Sequence, residues 1–174
     1  DVDDVQAVGR TGAGAQAGPR GQRRGPGGRR RERHSRHALA GRTRRGTPGA
    51  DVERSRSGNG AHVWFFFTTP VPAAMARKMG CFLITETMAR RHELSMESYD
   101  RLFPNQDTMP KGGFGNLIAL PLQFQARKAG NTEFLDDHLK PIQDPWAHLA
   151  SVPRISPSQV ESIAQEAVRQ GKVL

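Results

Sequence analysis

The chain has 174 residues, one cysteine and a formal net charge of +9. This length suits one domain of modest size with a real core, and the lone Cys81 excludes an internal disulfide framework and fits a reducing cytoplasm. No apolar run is long enough to span a membrane, and the N-terminus lacks the apolar region of a signal peptide.

The charge is concentrated at one end. Residues 1–56 hold fourteen Arg and no Lys against six acidic residues, which is +8 of the total, and residues 57–174 carry only +1. The high pI therefore describes the N-terminal segment, and nucleic-acid binding does not follow from total charge alone. The chain opens on Asp and closes just after a helical pattern, so it is expected to be a fragment of a longer polypeptide.

Residues 5–50 are of low complexity, dominated by Gly, Arg, Ala, Pro, Gln, Ser and Thr. Such a segment buries too little apolar surface to offset its ordering entropy, so disorder or coil is expected. Two readings stand side by side. One is a basic arm that tracks a phosphate backbone. The other is a GC-rich gene translated out of frame, which would yield Arg without Lys beside Gly, Ala and Pro.

From about Glu53 the composition becomes that of a globular domain. Residues 61–67 predict a buried strand, its run Val63 to Phe67 being β-branched and aromatic. Pro70 and Pro72 end it, and Pro72 suits the first turn of a helix. Ala73 to His92 is that helix, with Met75, Met79, Phe82 and Leu83 on one face as core. Cys81 within it is expected to be a small core residue.

Residues 98–103 predict a short strand, followed by turns at residues 104–107 and 110–113. Asn116 to Leu122 predicts a further strand, with Pro121 closing it. Residues 123–130 suggest a polar linker or short helix, and residues 131–146 a loop-rich stretch with extended pieces near Phe134 and Leu135. The last element is a helix: Ser158 and Glu161 have capping-box spacing, Pro157 precedes them, Val160, Ile163, Ala164 and Val168 form the apolar face, and Gly171 lies near the stop. Close-following strands pair antiparallel, so the fold class is α+β, with helices on one face of the sheet.

The richest stretch chemically is Ser57-Gly58-Asn59-Gly60-Ala61-His62. A turn of small residues lets backbone approach a phosphate and offer N–H donors. His62 follows at the turn-to-strand junction, where it could reach the same anion or serve as a structural hydrogen-bonding residue. Asp100 lies in an apolar strand, where an unpaired carboxylate is costly to desolvate. Its neighbour Arg101 points to the opposite face, so a metal ion or ligand is the expected partner. Asp107 is a turn former, and Asp136-Asp137 a loop pair.

Lys111-Gly112-Gly113 begins a basic, glycine-rich loop that suits a nucleic-acid backbone or a triphosphate, or is simply a flexible hairpin. No Gly-Lys-Ser/Thr closes it, which excludes an ATPase P-loop. His92, His138 and His148 lack zinc spacing.

The run from Ser57 to Trp64 resembles the Ser-x-His second motif of the archaeo-eukaryotic primase superfamily, and Ser98-Tyr99-Asp100 its third motif. The runs 99–107 and 112–123 resemble the branch found in TOTE conflict systems, over about residues 48–155. The resemblance implies a partial primase core: a sheet of RNA-recognition type with helices on one face, preceded by the disordered segment.

The same resemblance implies metal-dependent, template-directed nucleotidyl transfer on nucleic acid. Two divalent ions, Mg or Mn, would be held by three carboxylates. Asp100 would be the third-motif ligand, and His62 would contact the triphosphate beside Ser57, Gly58, Asn59 and Gly60. The first motif should be Asp-hydrophobic-Asp on an upstream strand. Only Asp1-Val2-Asp3 has this form, with no strand before it, which leaves the activity of this chain open.

The organisation expected is a low-complexity segment at 1–52, a partial primase-like domain at 53–155, and a helix at 156–174. The helix would lead to a helicase region beyond Leu174. Template, primer and nucleoside triphosphates would be the partners, in the cytoplasm and away from membranes. The alternative is a non-catalytic nucleic-acid-binding module or an inactive fragment.

Overall fold

The computed structural model describes residues 8–11 (backbone only), 49–90, 101–108, 111–112 and 118–172. Five strands form one antiparallel sheet: β1 (Val8–Thr11), β2 (Ala50–Arg54), β3 (Ala61–Phe65), β4 (Arg101–Phe103) and β5 (Phe134–Leu135), in the spatial order β4-β1-β3-β2-β5. The helices are α1 (Ala73–Ala89), α2 (Phe124–Arg127), α3 (Pro145–Ser151) and α4 (Pro157–Arg169). The α+β class holds.

Alternation along β2 and β3 divides the sheet into two faces. Ala50, Val52, Ala61, Val63 and Phe65 join Ala76 and Met79 of α1 and Val160 of α4 in the larger core. Trp64 packs with Phe103 and Phe134 in a second core, covered by Ile118, Leu122, Ile142 and Leu149. Every residue of β3 is buried, because both faces are covered. Burial of each large side chain here contributes about 1.5–3 kcal/mol.

α1 starts after Pro72 and buries Ala76, Met79, Gly80 and Phe82, while Met75 and Leu83 pack at the edge of the core. Gly80 lets β4 approach closely: a methyl there would stand 2.8 Å from Leu102 Cδ1. Cys81 is half-buried, and that burial pushes its thiol pKa up. α4 buries Val160, Ala164 and Ala167 at helical spacing. Lys172, just past its end, pairs with Glu86 of α1.

Several expectations need correction. The capping box of α4 is Ser156 with Gln159, not Ser158 with Glu161, because Pro157 occupies the first helical turn and makes Ser156 the N-cap. Residues 118–122 form no strand: Leu122 has φ of 58°, Pro121 sits in a bend, and Ile118 and Leu122 reach the second core from a loop. Among the described residues β4 pairs with β1, and residues 116 and 117 of the expected strand lie outside them. Helices also do not lie on one face alone. α3 covers the Trp64 face through Leu149 and His148.

β1 stands inside the segment expected to be disordered. It pairs with β3 and β4 at once, and hydrogen bonding on both edges orders a stretch whose composition would not. No helix among the described residues is long and apolar enough to cross a membrane.

Candidate functional site

The site is built on the β2–β3 hairpin. Val52 pairs with Val63 and Glu53 with His62, which sets Asp51, Glu53, His62 and Trp64 on the face opposite α1. Between the strands, Ser55 organises the turn. Its N–H donates to Gly60 O at 2.9 Å, its carbonyl accepts from Gly58 N–H at 2.9 Å, and its Oγ accepts from Gly60 N–H at 3.1 Å. Ser57 Oγ accepts from Asn59 N–H at 3.3 Å and lies 3.2 Å from Ser55 Oγ.

The expected phosphate donors Gly58, Asn59 and Gly60 thus direct their N–H groups into the turn itself. Arg56, Ser57 and Asn59 are what the turn exposes to solvent. Gly58 has φ of 71°, the left-handed region that favours glycine. Asn131 fastens the turn from outside, its Nδ2 donating to Arg56 O at 3.0 Å. Arg54 turns away, donating to Gly130 O at 2.8 Å, and is structural.

His62 is 3% exposed. Its Nδ1 lies 2.9 Å from Glu53 Oε2, and Trp64 Nε1 donates to the same oxygen at 2.6 Å. The His62 and Trp64 rings meet edge to face, 76° apart. Glu53 is fully buried, and its Oε1 has no hydrogen-bond partner among the described residues. Two residues earlier on β2, buried Asp51 accepts from His148 Nε2 at 2.7 Å, which ties α3 to the sheet.

Sequence reasoning missed Glu53, Trp64, Arg56 and the Asp51–His148 pair. The signal was present as two acidic residues at alternate positions, 51 and 53, flanking the apolar Val52.

Asp100, Asp1, Asp3 and Gly113 lie outside the described residues. Lys111 and Gly112 form an exposed turn, and no described contact joins them to His62. β1 runs between the strand of His62 and the strand that follows Asp100. In register, Arg10 faces His62 on one side and Arg101 on the other. The chain enters β1 at Val8, opposite Trp64 and Phe103, and enters β4 at Arg101, opposite Arg10. These entry points are at opposite ends of the β1–β4 ladder.

The described residues do not fit a divalent metal centre. None of them form a group of three or more His, Cys, Asp or Glu able to hold an ion. Asp51 and Glu53 each engage a histidine, and β2 lies three strand spacings from β4, roughly 14 Å. They therefore do not stand in for the first-motif pair that the resemblance assigns to Asp1 and Asp3.

The described site is a rigid turn with an exposed Arg and Ser, leading into a buried histidine oriented by a carboxylate and an indole. A search of curated proteins finds no match. A family model, the archaeo-eukaryotic primase domain of the TOTE conflict system, matches residues 31–163. The match starts upstream of the residues that carry the sequence resemblance, and it leaves out Asp1, Asp3 and β1. It covers most of the chain and includes the whole hairpin. The chain belongs to the archaeo-eukaryotic primase family of TOTE conflict systems.

Proposed function

We propose that this chain is the nucleotide-binding part of a primase-polymerase domain, and that His62 contacts the triphosphate of the incoming nucleotide. The observation that carries this reading is the hairpin: a turn exposing Arg56 and Ser57 leads into a histidine held by Glu53 at the start of β3. Arg56 supplies a fixed positive charge for an anion, and Ser57 a hydroxyl. The order β4-β1-β3-β2 supports reading the sheet as RNA-recognition type.

Family membership makes nucleic acid and nucleoside triphosphates the natural substrates, and the reading adds a helicase region in the same polypeptide as the expected partner, in the cytoplasm. The resemblance gives Asp100, with Asp1 and Asp3, as ligands of Mg or Mn. Such ions would offset the charge of the triphosphate. What the described residues themselves do is bind and orient.

A second reading, a non-catalytic nucleic-acid-binding module, has its own support. The strand between the two motif strands carries Val-Gly-Arg-Thr, without a carboxylate. Extension of a primed template by the full chain, with Mg or Mn, separates the two. Under the enzyme reading, incorporation occurs and is lost in Asp100→Ala. His62→Ala then weakens triphosphate binding more than template binding. Template binding without incorporation at any metal concentration would refute the enzyme reading, and equal loss of both ligands in His62→Ala would make that residue structural.

A further inference from the structure

We infer that Glu53 is a positioning residue that fixes the tautomer and ring orientation of His62, so that Nδ1–H is committed to Glu53 and Nε2 is the ring atom that would donate to a phosphate, which it does only when it too carries a proton. The second half of this statement rests on the proposed triphosphate contact, and the first half does not.

The argument starts from the register. Glu53 and His62 are direct cross-strand partners, so the pair is set by the backbone and not by a choice of rotamer alone. Trp64, two residues along the same face, bonds the same carboxylate oxygen at 2.6 Å. An indole N–H can only donate, so Oε2 must present acceptor lone pairs. With Glu53 as the carboxylate, which has no hydrogen to give, His62 Nδ1, 2.9 Å from that oxygen, brings the hydrogen. Trp64 thus enforces the tautomer through Glu53, and its ring edge limits rotation of the imidazole.

Stability does not explain Glu53. A carboxylate with no exposed surface and one oxygen unpartnered among the described residues is costly, and an apolar residue of similar volume would be favoured. Among the described residues Glu53 belongs to no cluster that could hold a metal ion. Orientation of a functional histidine by a buried acceptor accounts for both the position and the cost. Asp51 supplies an internal comparison, since it sits on the same strand and bonds a different histidine.

The test is nitrogen-15 NMR of histidine-labelled full-length protein at about pH 8.5, where a free imidazole is neutral. The wild type should show His62 protonated at Nδ1. Glu53→Ala should move the proton to Nε2 or mix the two forms; dATP binding, measured at about pH 6 so that the ring can carry both protons, should weaken about tenfold, the size of one misaligned charge-assisted hydrogen bond. Asp51→Asn should leave the His62 tautomer unchanged.

If Glu53→Ala does not fold, Glu53→Gln decides. Its carbonyl must face Trp64 and still accept from Nδ1, so the Nδ1-protonated form should persist. An Nε2-protonated His62 in the wild type or in Glu53→Gln overturns the inference, and so does an unchanged tautomer in folded Glu53→Ala. Titration with dATP and Mg at about pH 6, where Nε2 can also carry a proton, then tests the separate reading. If Nδ1 is protonated but the Nε2 resonance ignores dATP, Glu53 still positions His62 and the triphosphate contact is wrong.

Discussion

Replacing Gly58 by Ala probes whether the turn before His62 is as tightly organised as its hydrogen bonds indicate. Gly58 has φ of 71°, and a methyl there would stand 2.6 Å from Asn131 Oδ1. Left-handed backbone costs a residue with a side chain about 1–2 kcal/mol. Asn131 is the end of a flexible side chain and can swing away, but it then loses its 3.0 Å bond to Arg56 O. That bond is exposed and contributes about 0.5–1 kcal/mol. The single variant should therefore be destabilised by about 1.5–3 kcal/mol. Asn131→Ala removes both the clash and the bond. In the double variant the bond is lost once, not twice, so it should be about as stable as Gly58→Ala alone. The coupling energy is then about 0.5–1 kcal/mol. Urea unfolding of wild type, both single variants and the double variant measures this. Strict additivity, or a Gly58→Ala effect below about 0.5 kcal/mol, would show that the turn is not pinned by Asn131.

Two further changes test the frame around the site. Gly80→Ala places a methyl 2.8 Å from Leu102 Cδ1 and forces α1 and β4 apart, with an expected loss of about 1–3 kcal/mol; Leu102→Ala in the same chain should relieve part of it, as read by thermal unfolding. Glu86 is held below the usual carboxylate range, chiefly by its hydrogen bond from Lys172. The stability from that pair is complete above the ordinary glutamate value and fades as pH falls through the lowered one. Glu86→Gln should lower Tm near neutrality and flatten its fall on acidification.

The elements legible in the sequence were those whose pattern is local. The aromatic and β-branched run after Ala61 gave β3, and the Met and Phe spacing gave α1. The pairing of the strands was not legible. β1 has no apolar alternation and is ordered by neighbours that lie far away in sequence. α3 was also missed, although Asp144 before Pro145 is a start signal: Asp144 Oδ1 accepts from the N–H groups of Trp146 and Ala147. At the site, His62 was visible because it follows a small-residue turn. Glu53 was not, because its role depends on knowing that residue 53 faces residue 62 across a hairpin. The turn amides were assigned outward because sequence alone does not reveal that Ser55 draws them inward. Asp100, the other leading candidate, lies outside the described residues.

The position of β1 separates two boundaries that are commonly taken to coincide. The span of family similarity begins at residue 31, yet the strand joining β3 to β4 lies at Val8–Thr11. A polypeptide cut to the matched span would keep His62 and Asp100 in sequence and lose the strand that spaces their two halves of the sheet. β4 would then be held by side-chain packing alone, Leu102 against Gly80 and Phe103 against Trp64 and Phe134. In this chain the unit that is recognisable by descent is smaller than the unit that holds its shape.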